Sequence, residues 1–114
     1  MEKNDLVYLG HMLDMAESAL GKVRGRARAD YDQDENLRMA LALLIQTIGE
    51  AGRHVSPQFR TGHPEIPWAQ VIGMRHKIVH DYMHINFDIV WDVVSADLLP
   101  LVAQLRRLIP ADEK

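Results

Sequence analysis

The chain has 114 residues, of which 47% are hydrophobic and 25% are charged, a balance typical of one folded domain rather than a disordered chain. It has no cysteine, which excludes disulfides and thiolate metal sites, and no apolar run approaches the roughly 20 residues of a membrane span. Because the N-terminus also lacks the apolar core of a signal peptide, we expect one cytoplasmic domain over residues 1–114, without membrane contact.

The net charge of −3 is unevenly distributed along the chain. Residues 37–80 carry five Lys/Arg against two Asp/Glu, whereas the two flanks together carry eight against fourteen. An acidic body with a basic centre could bind a polyanion at one place. Ordinary scatter of surface charge explains the same numbers equally well.

Apolar residues recur at three- and four-residue spacing in the first half, which predicts two helices. The first is expected from about Asp5, as its N-cap, to Arg24. The second is expected from about Asp34 to Val55, after a polar connection over residues 29–35. Its apolar face is wide, which suggests a central helix or one that is also buried against a second chain.

Prolines delimit the third predicted helix. Three of them, with Gly62, fall between residues 56 and 67, which predicts an irregular connection that could contain one short turn at Pro57–Phe59. Pro67 suits the first helical position, where its fixed φ and missing donor do no harm. We expect this helix to continue to a loop at residues 83–87.

The fourth helix is expected from Asp88 through Ile109, with Val and Leu residues forming one buried stripe. Pro100 should kink it. We find no convincing strand pattern. The sequence thus predicts an all-α fold, a compact up-down helical bundle of four main helices.

Residues 75–82, Arg-His-Lys-Ile-Val-His-Asp-Tyr, concentrate side chains that are capable of chemistry. Arg can hold an anion with two hydrogen bonds, and His can transfer a proton near neutral pH. On an ideal helix Arg75 and His80 point roughly 140° apart. They can meet at one phosphate only if the helix unwinds near His80 or the Arg side chain reaches around. The pattern indicates a phosphate-handling site, without a metal, at the C-terminal end of the third helix.

Two other interpretations of these residues stay open. In the first, Arg75, Lys77 and Asp81 are solvated or ion-paired surface residues, while His80 and Tyr82 form hydrogen bonds in the core.

The second alternative is a metal site. His76, His80 and His84 are spaced four apart, and Asp81 or Asp88 could supply a further ligand. The neighbouring cations of Arg75 and Lys77 would oppose a bound dication.

Five motifs, in order along the chain, carry a resemblance to a known family. They are Ile-Gly-Glu-Ala at 48–51, Ser-Pro at 56–57, Pro-Glu-Ile-Pro-Trp at 64–68, Ile-Gly-Met-Arg-His-Lys-Ile-Val-His-Asp-Tyr at 72–82 and Asp-Ile-Val-Trp at 88–91. With these motifs the chain resembles the HepT-like family, which belongs to the HEPN superfamily of small helical bundles. The likeness covers about residues 34–95 closely.

The resemblance implies a toxin of a toxin–antitoxin pair, acting as a metal-independent RNA endonuclease in a homodimer. Arg75 and His80 match the catalytic Arg and His of an Arg-x4-His-x-Tyr motif that faces a shared cleft. His76 stands where the superfamily often has Asn or another polar residue. The implied partner is a minimal nucleotidyltransferase antitoxin that transfers AMP to Tyr82, and the two proteins could form a larger hetero-oligomer.

The chemistry expected for this motif is simple, because RNA supplies its own nucleophile, the 2′-hydroxyl. His80 would move protons, Arg75 would stabilise charge on the phosphorane, and His76 would assist. Tyr82 could hold the phosphate or serve mainly as the modified residue, since an adenylyl group there would occupy the place of the substrate. Glu50, on the second helix, could orient a motif side chain or be a solvated carboxylate.

A function of another class also stays open. A non-catalytic HEPN-like interaction module could bind a nucleotidyltransferase or a nucleotide without cutting RNA. The acidic net charge slightly favours this alternative, whereas the pair of Arg75 and His80 favours cleavage.

Overall fold

Helices make up most of the protein. The computed structural model describes residues 2–81 and 84–110, and for His80 and Asp81 the backbone only. The helices are α1 (Lys3–Val23), α2 (Arg28–Asp32), α3 (Glu35–His54), α4 (Pro57–Gly62), α5 (Trp68–Ile72), α6 (Met74–Ile78), α7 (Phe87–Asp92) and α8 (Leu98–Leu108). The remaining elements are the strands β1 (Val79–Asp81) and β2 (His84–Ile85) and a π-helical segment, Val93–Asp97, between α7 and α8. The predicted all-α class is confirmed, and no helix in the described ranges is long and apolar enough to cross a membrane.

The core lies where α1 packs against α3 and α8. Buried apolar residues recur at helical spacing on all three helices: Leu9, Met12, Leu13 and Ala16 on α1, Leu37, Leu41, Ile45 and Ile48 on α3, and Leu101 and Leu105 on α8. Burying each Leu or Ile side chain contributes about 1.5–3 kcal/mol. These three helices therefore provide the frame onto which the shorter elements pack.

Helix α5 lies unusually close to α3 at Gly49. A Cβ atom added to Gly49 would lie 2.6 Å from the carbonyl oxygen of Val71 and 3.4 Å from that of Ile72. Both neighbours are backbone atoms, so they cannot move aside as a flexible side chain could. Only glycine permits this approach, which sets the position of α5 on α3.

Asp5 was expected to cap the first helix, and this prediction was wrong. The helix starts at Lys3, and Asp5 lies buried in its first turn. Its carboxylate accepts hydrogen bonds from the amide and the hydroxyl of Ser56, both at 2.7 Å. The partner lies 51 residues away in the chain, so a tertiary contact outweighs the local capping preference. Asp34, in contrast, caps α3 as expected and accepts from the amide of Leu37.

The third predicted helix is interrupted. It begins at Trp68, one residue after Pro67, and is broken at Gly73, whose φ of −80° and ψ of 3° end α5. Helix α6 then ends at Ile78, where the chain enters an antiparallel pair of strands instead of continuing as helix. The amide of Asn86 donates to the carbonyl oxygen of Ile78 at 2.6 Å, and this long-range bond replaces the next helical one.

Other boundaries also differ from the predicted ones. The polar connection contains α2, and the irregular connection after α3 contains α4, capped by the hydroxyl of Ser56. In the expected loop at residues 83–87, strand β2 forms and Asn86 caps α7, so the last helical region starts at Phe87 and not at Asp88.

Pro100 was expected to kink the last helix, and the structure has a π-helical segment, Val93–Asp97, shortly before it. Pro100 has no amide hydrogen to donate to the carbonyl of Ala96. Just ahead of it, the amide of Leu98 bonds to the carbonyl of Val93, five residues back. The wider turn joins α7 to α8 without ending the helical path.

The close contact at Gly49 can be tested by adding one methyl group. We expect Gly49→Ala to lower the free energy of unfolding by about 1–3 kcal/mol, because overpacking against backbone cannot relax. Urea unfolding followed by circular dichroism measures this change.

The matched control is Gly10→Ala in α1, where an added Cβ meets nothing within 4 Å. Replacing a helical glycine by alanine in open space should stabilise the protein by about 0.5–1 kcal/mol. Equal stability of the two variants would show that α3 and α5 can separate freely.

Candidate functional site

Helix α6 is short, and its burial pattern separates two faces. Met74 and Ile78, one turn apart, are buried in the core. Arg75, His76 and Lys77 between them are exposed. The guanidinium of Arg75 makes no hydrogen bond or ion pair with another residue of the described ranges. The core contacts of α6 thus leave the guanidinium of Arg75 and the imidazole of His76 exposed to solvent.

The backbone immediately after α6 carries His80 in an irregular strand. Strand β1 pairs with β2 through Val79 opposite Ile85 and Asp81 opposite His84. Two steps along β1 therefore match one step along β2, and His80 is the additional residue of a β-bulge. The helix does unwind before His80, which is one of the two ways in which Arg75 and His80 could meet.

Part of the predicted site lies outside the described residues. This is true of Tyr82 and of the side chain of His80. The common site of Arg75, His80 and Tyr82 therefore stays a prediction. Of this predicted site, the structure describes the exposed face of α6 and the backbone on either side of His80.

The geometric basis of the alternative metal site is lost. His76, His80 and His84 lie on α6, β1 and β2, so they do not form one face of a helix. Asp88, a further candidate ligand, is paired with Arg28. Among the side chains that the structure describes, no group of three or more His, Asp or Glu residues could hold a metal ion.

Glu50 lies on the exposed face of α3. Its carboxylate accepts from the guanidinium of Arg53 at 3.0 Å and lies 3.4 Å from Nε2 of His54. The ring of His54 stacks on Tyr8 with centroids 5.0 Å apart. These partners of Glu50 belong to its own helix and not to residues 75–82, so a role in orienting the motif stays a prediction.

The end of the β1–β2 hairpin is held by a residue that sequence reasoning missed. The hydroxyl of Tyr31 donates to the carbonyl oxygen of Phe87 at 2.7 Å, directly after the hairpin. Tyr31 is fully buried, and burial raises its pKa from 10.0 to about 12. The available signal was one aromatic residue in the otherwise polar stretch 29–35. An isolated aromatic among polar residues often packs on a distant element.

An apolar cavity of about 310 Å³ lies between α3, α5 and α8. Ile45, Val71, Met74 and Leu101 are among its lining residues, and no Lys, Arg or His is. It therefore offers a phosphate no cationic partner. The exposed face of α6, and not this cavity, suits a polyanion.

Comparisons with known proteins give a consistent result. The family model described as "Ribonuclease HepT-like" matches residues 12–108. A protein of Caldanaerobacter subterraneus subsp. tengcongensis, named as a candidate RNase, is 29% identical over 93% of this chain and 95% of its own length. One of Methanocaldococcus jannaschii, also named as a candidate RNase, is 30% identical over 86% of this chain and 91% of its own. No solved structure matches the chain.

Because the phenol of Tyr31 is buried, we expect the protein to lose stability at alkaline pH. Because the folded-state pKa of the phenol lies above the unfolded value, its contribution is fully present below pH 10 and is lost as the pH rises through about 12. We expect the free energy of unfolding to fall in this window for the wild type. The fall should be smaller in Tyr31→Phe, which has no phenol to ionise at that position.

Urea unfolding across this pH range, with tyrosinate absorbance recorded in parallel, measures both effects. The control Tyr8→Phe keeps Tyr31 and should retain the steep alkaline loss. The same pH profile in both variants would contradict the role assigned to the buried phenol.

Proposed function

The chain belongs to the HepT-like ribonuclease family, and we propose that it is a metal-independent RNA endonuclease of a toxin–antitoxin pair. One observation supports assigning this activity to Arg75 and His80. Arg75, the second residue of α6, is exposed and has no partner in the described ranges, and the backbone leaves the helix after Ile78, before His80. Residues 66–80 contain no Asp or Glu, so local charge favours an anion.

The proposed reaction needs proton transfers and charge stabilisation. His80 removes the proton of the 2′-hydroxyl, whose oxygen attacks the adjacent phosphorus as the bond to the 5′-oxygen breaks. The leaving oxygen takes a proton from a second imidazole. Arg75 stabilises the charge on the phosphorane oxygens, and His76 supports it as a further phosphate donor.

A homodimer would supply the second imidazole. One copy offers few groups for acid and base roles, and a two-fold interface would bring two sets together. Met39 and Leu43, one turn apart on α3, are 49% and 65% exposed, respectively. Such apolar side chains on the surface of a central helix support burial against a second copy.

The catalytic pair is tested with purified protein and RNA in the presence of EDTA. We expect wild type to cleave, Arg75→Ala to lose about 10²–10³-fold in rate and His80→Ala about 10²–10⁴-fold. Arg75→Ala should stay folded, since the side chain is exposed and unpaired within the described ranges.

Arg106→Ala is the matched control, because Arg106 is an exposed arginine of α8 paired with Glu17 of α1 and should keep full activity. Cleavage that survives both Arg75→Ala and His80→Ala would show that the catalytic site lies elsewhere in the protein. Cleavage that requires a divalent ion would restore the metal alternative. A folded dimer that cuts no RNA would be the non-catalytic interaction module.

We further propose that a nucleotidyltransferase antitoxin silences the protein by transferring AMP to Tyr82. The added phosphate would be drawn to Arg75 and would exclude RNA from the same place. After incubation with the partner and ATP, mass spectrometry should find adenylyl groups on Tyr82 and a matching loss of cleavage. Tyr82→Phe should stay unmodified, whereas Tyr8→Phe should be modified like wild type. Neutralisation without modification would indicate inhibition by binding alone.

A further inference from the structure

We infer that Tyr31 is a positioning residue, whose hydroxyl fixes the end of the hairpin that carries His80. The inference rests on the proposed ribonuclease function, because the effect on catalysis passes through His80. It depends on four features of the hairpin and its surroundings: the shortness of the strands, the bond that closes them, the anchor after them and the rigidity of that anchor.

The strands are too short to hold their own arrangement. Strand β1 has three residues and β2 has two, with a bulge at His80. Isolated two-stranded ribbons are marginally stable in water even when they are longer. The position of His80 must therefore be set by what holds the two ends of the hairpin.

The first end is fixed by the core. Ile78 is fully buried at the end of α6, and its carbonyl oxygen accepts from the amide of Asn86 at 2.6 Å. This bond closes the base of the hairpin. It ties the second end of the hairpin, at Asn86, to the buried first end.

The second end is fixed by Asn86 and Phe87. The side chain of Asn86 accepts from the amide of Ile89 at 3.1 Å and so caps α7. On the next residue, the carbonyl oxygen of Phe87 accepts from the hydroxyl of Tyr31 at 2.7 Å. The first of these bonds is internal to α7, and the second joins α7 to α2.

Tyr31 is itself held firmly, which makes it an effective anchor. Its ring packs on Trp91 of α7 with centroids 4.8 Å apart. The guanidinium of Arg38 donates to the carbonyl oxygens of Tyr31 and Asp32, at 3.1 and 2.5 Å, and also lies over the ring of Phe87. The region where α2 leads into α3 therefore holds the first turn of α7 by two contacts, one from the phenol of Tyr31 and one from the guanidinium of Arg38.

The consequence for His80 follows from the short distance along the chain. Only Asn86 separates Phe87 from β2, and β2 pairs with Val79 and Asp81, the two neighbours of His80. Because so few residues lie between Phe87 and the strand that pairs with the neighbours of His80, we expect a shift of the Phe87 carbonyl to move His80 as well. Catalytic rates are sensitive to such shifts, since a displacement of about 1 Å can reduce a rate by about 100-fold.

The experiment compares Tyr31→Phe with Tyr8→Phe. Tyr31→Phe removes only the anchoring hydroxyl and keeps the ring on Trp91. We expect kcat for RNA cleavage to fall between about tenfold and 100-fold, with KM within about twofold, because the phosphate partner Arg75 lies on α6 and is unaffected. Tyr8→Phe should leave both constants unchanged. Circular dichroism checks that both variants are folded.

Two further readouts separate positioning from a general loss of stability. Amide hydrogen exchange should quicken at Asn86 in Tyr31→Phe and stay unchanged at Ile45 in the core of α3. The double variant Tyr31→Phe/His80→Ala should be no slower than His80→Ala alone, because Tyr31 acts through His80.

An unchanged kcat in folded Tyr31→Phe would overturn the inference, and so would unchanged exchange at Asn86. Wild-type protein that cuts no RNA would overturn the proposed function instead. In that case exchange at Asn86 still decides whether Tyr31 anchors the hairpin.

Discussion

The packing of α5 against α3 at Gly49 is the constraint on which the candidate site depends. Because no Cβ separates the two helices there, the carbonyl oxygens of Val71 and Ile72 approach the backbone of α3 directly. The chain then turns at Gly73 while it is still against the core. Met74 and Ile78 are buried on the next turn, which leaves Arg75, His76 and Lys77 facing solvent. One missing side chain on a central helix thus determines which side of α6 is available for chemistry.

Charge at this site has to be considered locally. The protein is acidic overall, yet the field of an exposed carboxylate is largely screened beyond about 8 Å at physiological ionic strength. Several arginines are already paired with carboxylates, including Arg26 with Asp34 and Arg28 with Asp32. Arg75 has no such partner in the described ranges. A phosphate at Arg75 would therefore displace no ion pair within the described ranges.

Sequence periodicity predicted the parts of the fold that depend on local pattern. Helices α1 and α3 were located to within about two residues, because a long amphipathic stripe is a strong signal. The errors occurred where the local structure is determined by a hydrogen bond to a residue outside the local pattern. Asp5 was expected to cap α1, but it accepts hydrogen bonds from Ser56. The third helix was expected to be continuous, but it ends at Ile78, whose carbonyl oxygen accepts from the amide of Asn86. Neither partner can be recognised from the local sequence.

The candidate site shows the same division. Spacing indicated only that the helix would have to unwind near His80, or the Arg75 side chain reach around, for the two residues to meet, since an unbroken helix would hold them roughly 140° apart. The contribution of Tyr31 could not be anticipated, because its partner is a backbone carbonyl 56 residues away. A helix would have fixed His80 through its own hydrogen bonds, whereas a bulged pair of short strands cannot. Leaving the helix makes it possible for Arg75 and His80 to converge. It also means that, in the proposed site, His80 would be aligned by residues on other elements, such as Tyr31.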